Sequence, residues 1–220
     1  MLFGTLLVCA AVLAILWQRA REESRTSACE GNLFCIGSLL RAYHAKHGTY
    51  PPSSGERATA APVVSWRVMI LLPTGPDLNG YDLGQAWNSP QNEQIILGPN
   101  GKLFSCHGDP DARTAGRTTY LAIVGKGTVW SEVCLGHIRS PDKEVPQKIV
   151  VIEVPHSGVY WTEPRDISAD EAIMLFRREN GLKDGRHRRG LHYLTADGSV
   201  HSFDEIGNVE EFANLIRAAE

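Results

Sequence analysis

Three histidines and an aspartate crowd the C-terminal quarter of the chain: His187, His192, Asp197 and His201. Imidazole nitrogens and carboxylate oxygens are the donors that zinc-class cations take, so convergence of these four would make a metal site. The spacing does not demand it. Asp197-Gly198 is a hairpin turn signal between two strand-like runs, His192 to Thr195 and Ser199 to Phe203. On paired strands, alternation decides which side chains share a face. Neither HExxH nor paired CxxC spacing accompanies the histidines. The reading adopted is structural: Gly198 supplies a positive φ, and His187 pairs with Asp197 to pin the strand before the turn. No metal ligand and no cofactor is assigned.

A nucleophile near a base is equally hard to find. Ser65, Ser105 and Ser199 lack a nucleophile-elbow setting. Cys106 and His107 are neighbours in sequence, which says nothing of spatial pairing, and there is no Gly-rich phosphate loop. The expectation is a protein that is not an enzyme. Trp66, Trp87, Trp130 and Trp161 would suit a ligand-stacking platform, but such residues more often pack cores. The stretch from 177 to 189 (RRENGLKDGRHRR) carries six Lys/Arg against one Glu and one Asp. Its Lys183, Arg186, Arg188 and Arg189 form a candidate patch for an anionic partner, set against a plain solvated helix end. Formal charge is −3 overall, so no global field draws this chain to nucleic acid.

Four cysteines, Cys29, Cys35, Cys106 and Cys134, are candidates for disulfides in an oxidising compartment. Four free buried thiols are the other reading. Cys29 and Cys35 lie on one helical pattern, where six residues separate them by ~9 Å along the axis and about 120° around it, too far for a bridge. If two bridges form, each therefore ties the helix to the head, through Cys106 and Cys134. Cys29 with Cys106 is the pairing favoured.

The elements that must position these groups start with a charge-free run of sixteen residues, Leu2 to Trp17. As a helix it would span ~24 Å, slightly short of a hydrocarbon core. Trp17 sits where an interfacial aromatic belongs, with Arg19 and Arg21 behind it. Residues 1–19 are read as an uncleaved membrane anchor. The helix continues from Gln18 to His47, with Cys29, Leu33, Ile36, Leu40 and Tyr43 in one apolar stripe, and Gly48 and Pro51-Pro52 end it. Residues 20–220 then form one α+β head. Val63 to Leu72 is apolar but ambiguous between strand and helix. Strands are expected over Thr118 to Val124, Thr128 to Val133, Lys148 to Val154 and Gly158 to Trp161. Ser168 to Glu171 is a capping box for a helix over Ala169 to Arg178, and Asn208 caps a last helix to Ala218.

Orientation is contested within the sequence. Arg19, Arg21 and Arg25 after the apolar run favour a cytoplasmic head, whereas an even count of four cysteines, which permits disulfides, favours an extracytoplasmic one.

Three segments resemble a known family. The first runs from Ala20 to Ser53, with a cysteine, Asn32-Leu33, Ile36-Gly37 and Tyr43-His44 before Gly48-Thr49-Tyr50-Pro51-Pro52. The second comprises Ser65-Trp66-Arg67-Val68, Trp87-Asn88-Ser89-Pro90 and Phe104-Ser105-Cys106 with Asp109-Pro110. The third is VVIEVPHSGVYWTEPRDIS and the tail, where His187, nine residues and Asp197-Gly198 match a His-x9-Asp-Gly signature. Together they resemble the bacterial prepilin-like family labelled domain of unknown function 1559. The chain departs from it at Gly4-Thr5-Leu6-Leu7-Val8, which lacks the aromatic residue and glutamate of a prepilin cleavage segment. The resemblance implies a pilin-like fold, a long N-terminal helix on an antiparallel sheet head with short additional helices. It also implies an exported head on a single-pass cell-membrane anchor, and it breaks the tie over orientation. The function expected is a non-enzymatic subunit of an envelope or secretion-type assembly, with the membrane and protein partners but no nucleic acid. The alternative is an anchored binding module for a small molecule or surface polysaccharide.

Overall fold

The computed structural model describes residues 2–52, 62–72, 78, 80–130, 145–178 and 190–217, with side chains from residue 9 onward save those of Val145 and Arg178. The first helix, α1 (Leu2–His47), is unbroken over 46 residues. Its stripe of Cys29, Leu33, Ile36, Leu40 and Tyr43 is buried against the head. Gly48 ends it with φ +73°, its N–H donating to the His44 carbonyl at 2.8 Å. Lys46 in the last turn complements the negative end of the helix dipole. Residues 9–20 of the same helix are all exposed, among them Leu13 at 66% and Trp17 at 61%.

Short capped helices follow. Ser65 caps α2 (Trp66–Leu71), which settles the ambiguous apolar run as helix, and Ser89 caps α3 (Pro90–Glu93). Asp109 caps α4 (Pro110–Thr114) by accepting from Ala112 N–H at 3.0 Å. The strands are β1 (Tyr120–Val124), β2 (Ile149–Glu153), β3 (Ile167–Ser168), β4 (His192–Thr195) and β5 (Val200–Ser202). Two helices complete the head: α5 (Ala169–Arg178), opened by the Ser168/Glu171 box, and α6 (Val209–Ile216), capped by Asn208.

The five strands form one sheet in the order β3-β1-β2-β4-β5, antiparallel except for the parallel pair β1–β3. Of the expected strands, Gly158 to Trp161 is not a strand, and Thr128 to Val133 is described only as far as Trp130. Trp130 and Tyr160 make only isolated bridges, and residues 131–144 lie outside the described residues. Alternation along β1 sends Tyr120 and Ala122 toward α1 and α2, and Leu121 and Ile123 toward α5 and α6. The result is three layers, with one apolar core on each face of the sheet. On the far side, Phe176 and Phe212 stack with ring centroids 4.6 Å apart. Trp66, Trp130 and Trp161 are all buried in the α1-side core, so they offer no exposed stacking platform. Trp87 is half-buried against Tyr160.

One charged pair sits inside this core. Arg67 Nη2 lies 2.6 Å from Asp166 Oδ1, with the two side chains 0% and 1% exposed. Trp66 Nε1 and Ala122 N–H also donate to that oxygen, while Arg67 donates to the Tyr120 carbonyl. Burial pushes the Arg67 guanidinium down and the Asp166 carboxyl up, each against the pull of its partner. The pair therefore fixes the position of α2 over β1 more than it stabilises the fold.

Candidate functional site: the seam between the long helix and the sheet

Polar groups gather where α1 crosses the C-terminal hairpin. A disulfide joins Cys29 on α1 to Cys106, with Cα atoms 5.1 Å apart. Asn32 Nδ2 donates to the Ser105 carbonyl at 3.1 Å, and the Tyr120 hydroxyl donates to the Cys29 carbonyl at 3.3 Å. Cys35 is exposed with a free thiol, as is Cys9, and Cys134 lies outside the described residues.

Beneath the disulfide, β2 and β4 place Glu153 and His192 side by side. Ile152 pairs with Tyr193, so the next residues on each strand meet on the α1 face. The His192 backbone N–H donates to Glu153 Oε2 at 3.1 Å, and His192 Nδ1 is also 3.1 Å from that oxygen. Both side chains are 1% exposed. On its other edge, His192 Nε2 lies 3.4 Å from Glu30 Oε1, on α1. Glu153, His192 and Glu30 thus run from the core to the surface. Burial, reinforced by the Glu153 charge, pushes the nearby Tyr120 phenol well up.

Farther along the seam, the hairpin meets α1 at Gly37 and Arg41. The turn closes through Gly198 N–H to the Thr195 carbonyl at 2.9 Å, and Thr195 pairs across it with Ser199. Ala196 and Asp197 are therefore the central residues, and neither has a positive φ; Gly198 follows with φ +87°. This is the three-residue loop with a glycine bulge rather than a two-residue turn centred on Asp-Gly. Asp197 Oδ1 accepts from the Thr195 hydroxyl at 2.6 Å and from Ser199 N–H at 2.9 Å. Arg41 Nη1 donates to the Asp197 carbonyl at 2.9 Å.

An open groove of about 750 Å³ runs beside this contact, lined by Glu30, Phe34 and Arg41 from α1 and by Asp197, His201 and Glu205 opposite. His201 pairs with Glu205 at 3.2 Å and stacks on Tyr193, on the sheet face away from His192. The pleat thus keeps His192 and His201 apart. Among the described residues the one cluster with metal-ligand spacing is Cys29, Cys106 and Glu153. His187 lies outside the described residues, as do Lys183, Arg186, Arg188 and Arg189.

Glu30, Arg41, Glu153 and Arg67 escaped the reading of the sequence. The available signal was a charged residue inside an apolar run, as in VVIEVP and VVSWRVMILL. A charge in such a run needs a buried partner.

The fold is an α+β head on a long helix, and the model of one family matches it in sequence. That family, described as a protein of unknown function (DUF1559), matches residues 18–132, and the chain belongs to it. The match covers the α1 stripe, the Arg67 helix and the Cys106 loop, while the hairpin motif lies beyond it. No curated protein and no solved structure matches the chain significantly.

Proposed function

We propose that this chain is a non-enzymatic, membrane-anchored, pilin-like subunit of a cell-envelope assembly, with its head on the extracytoplasmic side. One observation carries the reading: α1 outlasts its own head. Residues 9–20 are exposed although Val12, Leu13, Ile15, Leu16 and Trp17 are apolar. Such a contiguous apolar surface needs lipid or another helix to cover it. Among the described residues no helix is long and apolar enough to cross a membrane. The anchor accordingly rests on the whole charge-free run from Leu2, whose first side chains precede the described ones. The stacking of Arg21 over Trp17, 4.3 Å from the ring centroid, suits the headgroup zone. The Cys29–Cys106 disulfide supports an oxidising compartment.

Crosslinking in native membranes tests it. A photo-crosslinker in place of Leu13 is expected to give discrete protein adducts beside lipid adducts. A chain that crosslinks to nothing there and fractionates without membrane would overturn the reading. The groove beside the hairpin favours a second reading, an anchored binding module. Its walls mix polar and apolar surface in equal parts, with Arg41, Glu30 and Glu205 beside the Phe34 and His201 rings, so a small ligand with both polar and apolar parts suits it.

A further inference from the structure

One sulfur from each of Cys29 and Cys106 and one Glu153 oxygen lie within 4.8 Å of one another, all in buried residues. Two thiols and a carboxyl in so dry a site cannot all carry charge unaided. The disulfide is one solution, because it removes both thiols. A divalent cation is another, because it neutralises the ionised donors in place. Two thiolates with a carboxylate are a donor set for zinc-class ions rather than for calcium or magnesium.

Two further features suit the second solution. The His107 N–H donates to Cys29 Sγ at 2.9 Å, and the Gly108 N–H donates to Cys106 Sγ at 3.2 Å. Donors to ionised acceptors are roughly twice as strong as those to neutral ones, so these N–H groups favour thiolates over a disulfide. Behind the third donor, His192 holds Glu153 by both its backbone N–H and its Nδ1 edge. An outer contact of this kind orients a ligating carboxylate.

We propose that the reduced chain binds one zinc-class divalent cation through Cys29 Sγ, Cys106 Sγ and a Glu153 carboxylate oxygen. The seam between α1 and the sheet then has two closed states, disulfide and metal. A dithiol reductant converts one to the other: it delivers two electrons and two protons, the Sγ–Sγ bond breaks, and the reductant leaves as its own disulfide. The cation then displaces the two thiol protons to solvent and takes the thiolates. This holds whether or not the chain is anchored as proposed above, and it gives the seam a covalent or coordinate tie in either redox compartment.

The test uses the full chain in detergent, with Cys9, Cys35 and Cys134 replaced by serine so that one cysteine pair remains. After reduction by a phosphine and its removal under argon, Co²⁺ is titrated in. The expected result is a thiolate-to-cobalt charge-transfer band that saturates at about one ion per chain. The oxidised chain should show no band, and Glu153→Gln should weaken binding by about tenfold or more. Zn²⁺ should also raise the melting temperature of the reduced chain, or restore its circular dichroism if reduction unfolds it. Absence of the band from a folded reduced chain would overturn the proposal, as would equal binding by Glu153→Gln. So would a reduced chain whose melting or fold Zn²⁺ leaves unchanged.

Discussion

Gly37 of the long helix lies directly against Gly198 of the hairpin: a β-carbon on Gly37 would stand 3.3 Å from the Gly198 Cα and 2.8 Å from Leu194 Cδ1. Six residues earlier on the same helix, Gly31 has open space around it. The two glycines should therefore respond in opposite ways. Gly31→Ala is expected to stabilise the chain by about 0.5–1 kcal/mol through helix propensity alone. Gly37→Val should destabilise it by about 1–3 kcal/mol, because the helix and hairpin must move apart. Urea denaturation of both variants checks this, and a destabilised Gly31→Ala would show that the outer face of α1 is occupied.

Gly198 is constrained twice over. Its φ of +87° suits glycine, and an added β-carbon would fall on the Arg41 guanidinium that holds the turn. Gly198→Ala should cost on the order of 1–2 kcal/mol. Adding Arg41→Ala should recover only the steric part, since the φ strain stays. A full recovery in the double variant would mean that the backbone is not strained.

Asp197 gives a pH-dependent test with a definite sign. Its partial burial pushes the carboxyl up, but hydrogen bonds from Thr195 and Ser199, with His201 nearby, outweigh that and hold it below its ordinary value. A depressed folded pKa means stability that is complete above the unfolded value of about 3.9 and lost as pH falls through the folded one. Asn keeps an oxygen acceptor and tolerates the turn, so Asp197→Asn should be mild near neutrality. The gap between wild type and variant should shrink in acid, read by urea unfolding at a series of pH values. A gap that widens in acid would contradict the assignment.

Removal of one partner from the buried Arg67–Asp166 pair strands the other charge. Asp166→Asn should cost about 3–5 kcal/mol, whereas Arg67→Met with Asp166→Leu should cost less than the sum of the single changes. A double-mutant cycle measures the coupling directly, and additive losses would mean that the two side chains do not act as a pair.

What was legible in the sequence follows from what is local. The α1 stripe from Cys29 to Tyr43 reads off a 3.6-residue period, and Gly48 and the Ser168 and Asn208 caps mark their own boundaries. The hairpin was legible from Asp197-Gly198, but its loop is one residue longer than the dipeptide suggests. Asp197 sits at the turn centre, where its carboxylate bridges Thr195 and Ser199, and leaves the positive φ to Gly198. The polar seam was not legible. Glu153 and His192 are 39 residues apart, and only the β2–β4 register brings them together. The same holds for Arg67 and Asp166, 99 residues apart. The short β3 carries too few residues to show any period, and it pairs in parallel with β1.

In the function proposed here, α1 leaves the head in order to enter the membrane, with the head outside. Protease added to intact spheroplasts, followed by mass analysis of the fragments left in the membrane, tests it most directly. The prediction is a digested head and a protected membrane fragment that starts in the apolar run and ends within the Arg19 to Arg25 stretch. A head that stays intact until the spheroplasts are lysed, or a full-length chain recovered in the soluble fraction, would contradict it.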